Sequence, residues 1–185
     1  MNTLITWLID NGYGVEGVPE AIAKSLASTS DWASSGSAGT PGNNPSSNNS
    51  SGFNGKPGGY RFDATGAYSY MTYITGWWAG DLARIFGLNS DALGPILPDA
   101  FQYSTKYGFS IRLIKDTTDK THGQTGTYTG NDGTVYNTIC IGTQEWMSEN
   151  LKESQYRDTS SIPEVLGNTE WANDVNGARC YYIIP

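Results

Sequence analysis

Few side chains in this 185-residue sequence offer chemistry: one histidine, two cysteines and 18 scattered carboxylates. His122 sits in a polar stretch with no nucleophile motif nearby, so a general base there has no proton to take. Glu145 and Glu149 stand one turn apart if Gln144 to Leu151 is helical. Such a pair could bind calcium, act as an acid pair, or simply line a solvated helix face. Asn131-Asp132-Gly133 has the chemistry of a hairpin tip but lacks the alternating acidic ligands of a calcium loop. Cys140 and Cys180 show no CxxC spacing and, with one histidine, do not make a structural zinc site. One disulfide between them and two buried thiols both remain open. GxSxG, phosphate-loop and HExxH patterns are missing from the sequence. The expectation is a non-enzymatic chain without metal or cofactor.

Aromatic residues are the stronger signal. "AYSYMTYITGWW", Ala67 to Trp78, carries Tyr68, Tyr70, Tyr73, Trp77 and Trp78, more rings than a small core needs. Alternation puts Tyr68 and Tyr70 on one strand face, and both a buried strand and an aromatic binding surface fit. "DLARIFGLNSDALGPILPD", Asp81 to Asp99, is rich in apolar side chains, but Gly87, Gly94, Pro95 and Pro98 forbid a long helix. It is expected to be an irregular apolar loop, buried under other chain or meant for a partner.

The elements that must position these residues follow from pattern. Hydrophobic residues make up 37% and charged residues 16%, with 23 Gly and 12 Tyr, which favours short strands and many loops over a helical bundle. Leu4, Ile5, Leu8 and Ile9 recur at helical spacing, and Gly12 can stop that helix. A second helix is expected from Pro19 to Ala27. Ser34 to Ser51 has no hydrophobic period and is expected to be a long surface loop. "YGFSIRLIKD", Tyr107 to Asp116, alternates as a half-buried strand with Phe109, Ile111 and Leu113 inside and Ser110 and Arg112 outside. "YTGNDGTVYNTICIG" is a hairpin, with Val135, Ile139 and Ile141 sharing one face of its second arm. The net charge is -7 with no basic cluster, which argues against a nucleic-acid surface. The amino-terminal stretch lacks the basic segment and unbroken apolar run of a signal peptide, and no stretch is long enough to span a membrane.

Several motifs together carry a family resemblance. "DGTVYNTICIGTQEWMSENLKESQYRDTSSIPEV" and "WANDVNGARCYY" resemble the opening of the Fibrobacter succinogenes major paralogous domain. "LITWLIDNGYG", "IAKSLASTSDW", "SSGFNGKPGGYRF", "GWW" and "YGFSIRLIKD" resemble its closing half. The order is reversed: residues 1–117 match the carboxyl-terminal half and 127–185 the amino-terminal half, with 118–126 as a linker. The resemblance implies an α+β, C-type-lectin-like fold, related to formylglycine-generating-enzyme-like domains. Two helices would pack on short twisted antiparallel sheets with long irregular loops. Segment 127–185 would then pair with 1–117 of its own chain or of a neighbour, the latter route giving self-association.

The resemblance also implies a function. Domains of this kind occur in Bacteroidetes surface proteins, and related ones are variable proteins of diversity-generating retroelements. The implied role is extracellular, on a bacterial surface or a phage tail, in adhesion or receptor binding. A protein or glycan ligand would meet a variable aromatic face within 62–107. Tyr68, Tyr70, Tyr73, Asp81, Arg84, Phe86 and Tyr103 are the expected contact residues, while Trp77, Trp78, Trp146 and Phe109 are expected to be structural. The alternative is a structural repeat of a surface filament or tail fibre, assembled by half-domain complementation.

Overall fold

The computed structural model describes residues 2–80, 83–98 and 102–181, and it is a mixed α+β structure built mostly from short antiparallel strands. Helix α1 (Asn2–Asp10) buries Leu4 and Leu8 completely, as their one-turn spacing requires. Gly12, at φ 75°, ends it where the sequence places the stop. Helix α2 covers only Ala23–Leu26, shorter than expected. The chain first turns through a bridge between Val15 and Val18, and the amide of Ala23 is taken by Leu93 O at 2.9 Å.

Three small sheets follow. Strands β1 (Tyr60–Arg61) and β2 (Tyr68–Ser69) pair, as do β3 (Ile74–Trp78) and β4 (Ile85–Asn89). The third sheet has the order β5-β8-β7-β6, from β5 (Ile114–Lys115), β6 (Thr125–Thr129), β7 (Val135–Ile141) and β8 (Gln144–Met147). A last helix, α3 (Asn168–Asn173), buries Trp171. None of the helices among the described residues is long and apolar enough to cross a membrane.

The core joins residues 1–117 to 127–181, and 118–126, expected as a linker, includes the first two residues of β6. Leu4, Leu8, Ile22, Leu26, Phe53, Trp77, Phe86 and Leu88 pack with Ile141 and Trp146. Phe53 lies edge-on to Trp77 at 5.2 Å and to Trp146 at 5.7 Å, so one ring contacts both sides of the junction. β5 pairs with β8 across the same boundary, Ile114 opposite Trp146.

Two arginines clamp the junction. Arg112 donates to Phe53 O, to Asn54 O at 2.9 Å and to Asn150 Oδ1 at 2.9 Å, and lies over the rings of Phe53 and Trp77. Burial pulls its pKa down to about 9, which leaves it charged at neutral pH. Arg61 donates to Gly66 O and to the carbonyls of Val165, Leu166 and Gly167, between the rings of Tyr68 and Trp171. Gly66 makes this clasp possible: at φ +65° a Cβ there would lie 2.0 Å from Asn168 O.

Several expectations are corrected. Arg112 is buried while Ile111 and Leu113 are 42% and 40% exposed, so the alternation of 107–116 is inverted beyond Phe109. The carbonyls collected by Arg112 outweigh the pattern, because a buried cation must keep all its donors satisfied. On β7 both faces are covered: Ile139 and Ile141 turn to the core as expected, Tyr136, Thr138 and Cys140 are buried on the other face, and only Val135, 60% exposed, departs from the expectation. Gln144 to Met147 is strand, not helix, so Glu145 and Glu149 are not a helical pair. Glu145 is buried on Thr138 and Lys120, and Glu149 accepts from the Asn137 amide. The apolar loop at 81–99 contains the buried strand β4. The Ser/Gly/Asn stretch is ordered, with Thr40, Asn48 and Ser51 buried. It wraps the Lys24 ammonium with Asn43 O, Asn44 O and Asn48 Oδ1.

Candidate ligand-binding face

A tight turn sets up the face. Tyr70 and Thr72 have positive φ, 59° and 70°, a conformation that side-chain-bearing residues rarely adopt. Each costs on the order of 1–3 kcal/mol, so the surroundings must enforce it. Thr72 N donates to Pro57 O at 2.9 Å, Ala33 N to Thr72 O at 2.8 Å, and Ile74 N to Tyr70 O at 3.0 Å. The turn throws Tyr70 and Tyr73 outward, 56% and 55% exposed.

Tyr70 is the outer member of a chain of rings. It stacks on Tyr60 at 5.5 Å and 21°, and Tyr60 contacts Tyr107 at 5.9 Å and Phe109 at 5.3 Å. Tyr103 closes the far end against Tyr107 at 5.5 Å and Phe109 at 5.1 Å. Trp78 meets Phe109 edge-on at 5.1 Å, and Phe62 leans on Tyr107 at 5.2 Å. Apart from Phe109, these rings are half-buried or exposed. Burial raises the phenol pKa values of Tyr60, Tyr103 and Tyr107, and the neighbouring tyrosines push Tyr60 further up. These three phenols therefore stay uncharged well above neutral pH.

Beside it runs a cleft of about 700 Å³ between 58–62 with 105–111 on one side and 151–181 on the other. Tyr60, Tyr107 and Phe109 form one wall, Arg179 and Tyr181 stand on the other, and Trp171 contributes to the lining. The Arg179 guanidinium pairs with Glu164 at 2.6 Å, but its buried Nε has no hydrogen-bond partner among the described residues.

The expected contact residues fall into different places. Tyr70 and Tyr103 belong to the ring chain, and Tyr73 stands exposed beside Tyr70 without touching the other rings among the described contacts. Tyr68 and Tyr70 do not share a strand face, because β2 ends at Ser69 and the chain reverses. Tyr68 packs on Arg61, and its hydroxyl donates to Tyr181 O at 2.7 Å. Arg84 is half-buried and bridges to Gln102. Phe86 is 0% exposed, held against Phe53 and Trp77 in the core, and is withdrawn from the face. Asp81 lies outside the described residues. Tyr60, Phe62 and Tyr107 were not among the expected contact residues; their aromatic type was the available signal, but nothing local shows that Tyr60 stacks on Tyr70 or that Tyr107 meets Tyr60 and Phe62.

No metal-ligating group of three or more His, Cys, Asp or Glu forms among the described residues. Cys140 is buried, Cys180 is half-buried, and the two thiols are not bonded to each other. His122 is tied to Tyr13, its Nε2 2.7 Å from the hydroxyl, and lies tilted against Trp7 at 4.3 Å, sharing no partner with the aromatic face. No family model, curated protein or solved structure matches the chain.

Proposed function

We propose that this chain is a non-enzymatic binding domain of C-type-lectin-like architecture, acting as an adhesin-like module on a bacterial surface or a phage tail. One observation carries the proposal: the ring chain Tyr70–Tyr60–Tyr107–Tyr103 forms a continuous, uncharged surface whose outer ring is more than half exposed. Tyrosines supply large contact area with few rotors to freeze, which suits recognition of a protein or glycan. The backbone cost at Tyr70 and Thr72 supports the same role, since strain that folding does not need collects at functional positions. The frame beneath, with Phe86 and Trp77 inside, tolerates changes on the face without losing its core.

The test is binding of fluorescently labelled protein to glycan and protein panels, with chelator present and absent. The expected result is a chelator-insensitive signal that falls at least tenfold in Tyr70→Ala. A signal that depends on calcium, or that survives the substitution, would refute the assignment.

A further inference from the structure

We propose that the outer edge of β6 is a self-association surface, pairing antiparallel with β6 of a second copy about a twofold axis through Thr127. The register within the hairpin fixes which backbone groups are available. Gly130 N donates to Thr134 O and Cys140 N to Gln124 O, both at 2.8 Å. Hydrogen-bonded pairs alternate along an antiparallel ladder. With Thr127 opposite Asn137, the even positions of β6 bond to β7. The N–H and C=O groups of Thr125, Thr127 and Thr129 therefore point away from the sheet, and no described group bonds to them.

That edge carries none of the usual protection. Natural edge strands are kept short, charged, bulged or interrupted by proline. The opposite edge, β5, has two residues and carries Lys115, followed by Asp116. β6 runs for five residues, "TGTYT", and no Asp, Glu, Lys or Arg occurs from Thr121 to Asn131. On a chain of net charge -7, a neutral edge of this length is the place where two copies can approach without repulsion.

The strand is also complementary to itself. A twofold axis at Thr127 sets Thr125 opposite Thr129 of the partner subunit and Thr127 opposite its own copy. All three are positions with outward-facing backbone groups, so about six hydrogen bonds can form. The threonine side chains meet as cross-strand Thr–Thr pairs. The same axis puts Gly126, which is covered by the Lys120 side chain, opposite Tyr128 of the partner subunit, so that ring would meet the Lys120 stem. Tyr128 is 38% exposed and free to make that contact while stacked on Tyr136 at 6.2 Å. The contact is isologous and closed, and it gives a dimer, not a filament.

The experiment is sedimentation velocity over a concentration series on the full chain, with amide hydrogen exchange at low and high concentration. Wild-type protein is expected to pass from monomer to dimer, with added protection at the Thr125, Thr127 and Thr129 amides. Gly126 and Tyr128, already bonded to β7, should not change. Thr127→Lys, which places two ammonium groups at the axis, should stay monomeric, whereas Thr143→Lys, on an exposed turn, should dimerise like wild type. A wild type that stays monomeric throughout would overturn the proposal. So would a dimer that persists in Thr127→Lys, as exchange of 127–181 between chains would give. The exchange pattern decides the matter on wild-type protein alone if the variant fails to fold: a dimer without protection at those three amides also refutes the pairing.

Discussion

Tyr70 and Phe86 are both aromatic residues of the same region, and their environments assign them opposite tasks. Phe86→Ala empties a site with 0% exposure between Phe53 and Trp77, and is expected to cost about 3–5 kcal/mol in denaturant unfolding. Tyr70→Ala and Tyr73→Ala remove exposed rings and are each expected to stay within about 0.5 kcal/mol of wild type. The tyrosine cluster also sets an alkaline limit. Burial raises the folded-state pKa values of Tyr60, Tyr103 and Tyr107 above the unfolded value of about 10. Their contribution is therefore complete below about pH 10 and is lost as pH rises through the folded values. Thermal melts should fall steeply in that window, and less so in Tyr103→Phe; a flat profile would show that these phenols are not packed as described. Asp132 behaves in the opposite sense. Its bonds from Ser154 and Thr134 hold its carboxyl well below the usual range. The stability it lends is present above about pH 4 and is lost as pH falls further. Urea melts in acid should show a smaller pH dependence for Asp132→Asn than for wild type.

At the scale of elements, what the sequence made legible was what local chemistry decides. Gly12 ends α1 because a left-handed residue was needed there, and Asn131-Asp132-Gly133 marks the hairpin tip joining β6 to β7. Illegible elements were those whose partners lie far away in sequence. The inverted alternation at Ile111, Arg112 and Leu113 depends on carbonyls near Phe53 and on Asn150, which no local window contains. β7 is buried on its second face as well, at Tyr136, Thr138 and Cys140, because residues near Lys120 and Lys152 cover it; Tyr136 Oη accepts from Lys152 N at 3.0 Å. The Ser/Gly/Asn stretch looked featureless because its organiser is the Lys24 ammonium, a single charge some twenty residues upstream. At the site, Tyr70, Tyr73 and Tyr103 were named from the sequence, while Tyr60 and Tyr107 were not, since their aromatic type does not tell that Tyr60 stacks on Tyr70 and meets Tyr107. Replacing the organisers tests this view directly: Arg61→Lys keeps the charge but loses the planar fork that holds three carbonyls of 165–167. A loss of about 3 kcal/mol is expected in urea unfolding; a change below about 0.5 kcal/mol would mean the clasp is incidental.

On the scale of the whole molecule, residues 1–117 and 127–181 share a core, a sheet and both arginine clamps. The proposed aromatic face and the β6 edge share no residue, so the two proposals can be tested separately. The most direct measurement of the central claim is cell binding and thermal melting on the same Tyr70→Ala/Tyr73→Ala/Tyr103→Ala protein. The account predicts that labelled wild type stains target cells, that the triple variant does not, and that the variant still melts cooperatively within a few degrees of wild type. Staining that is equal for the two proteins, or a variant that no longer folds, would contradict it, because the rings would then be either irrelevant to recognition or part of the core.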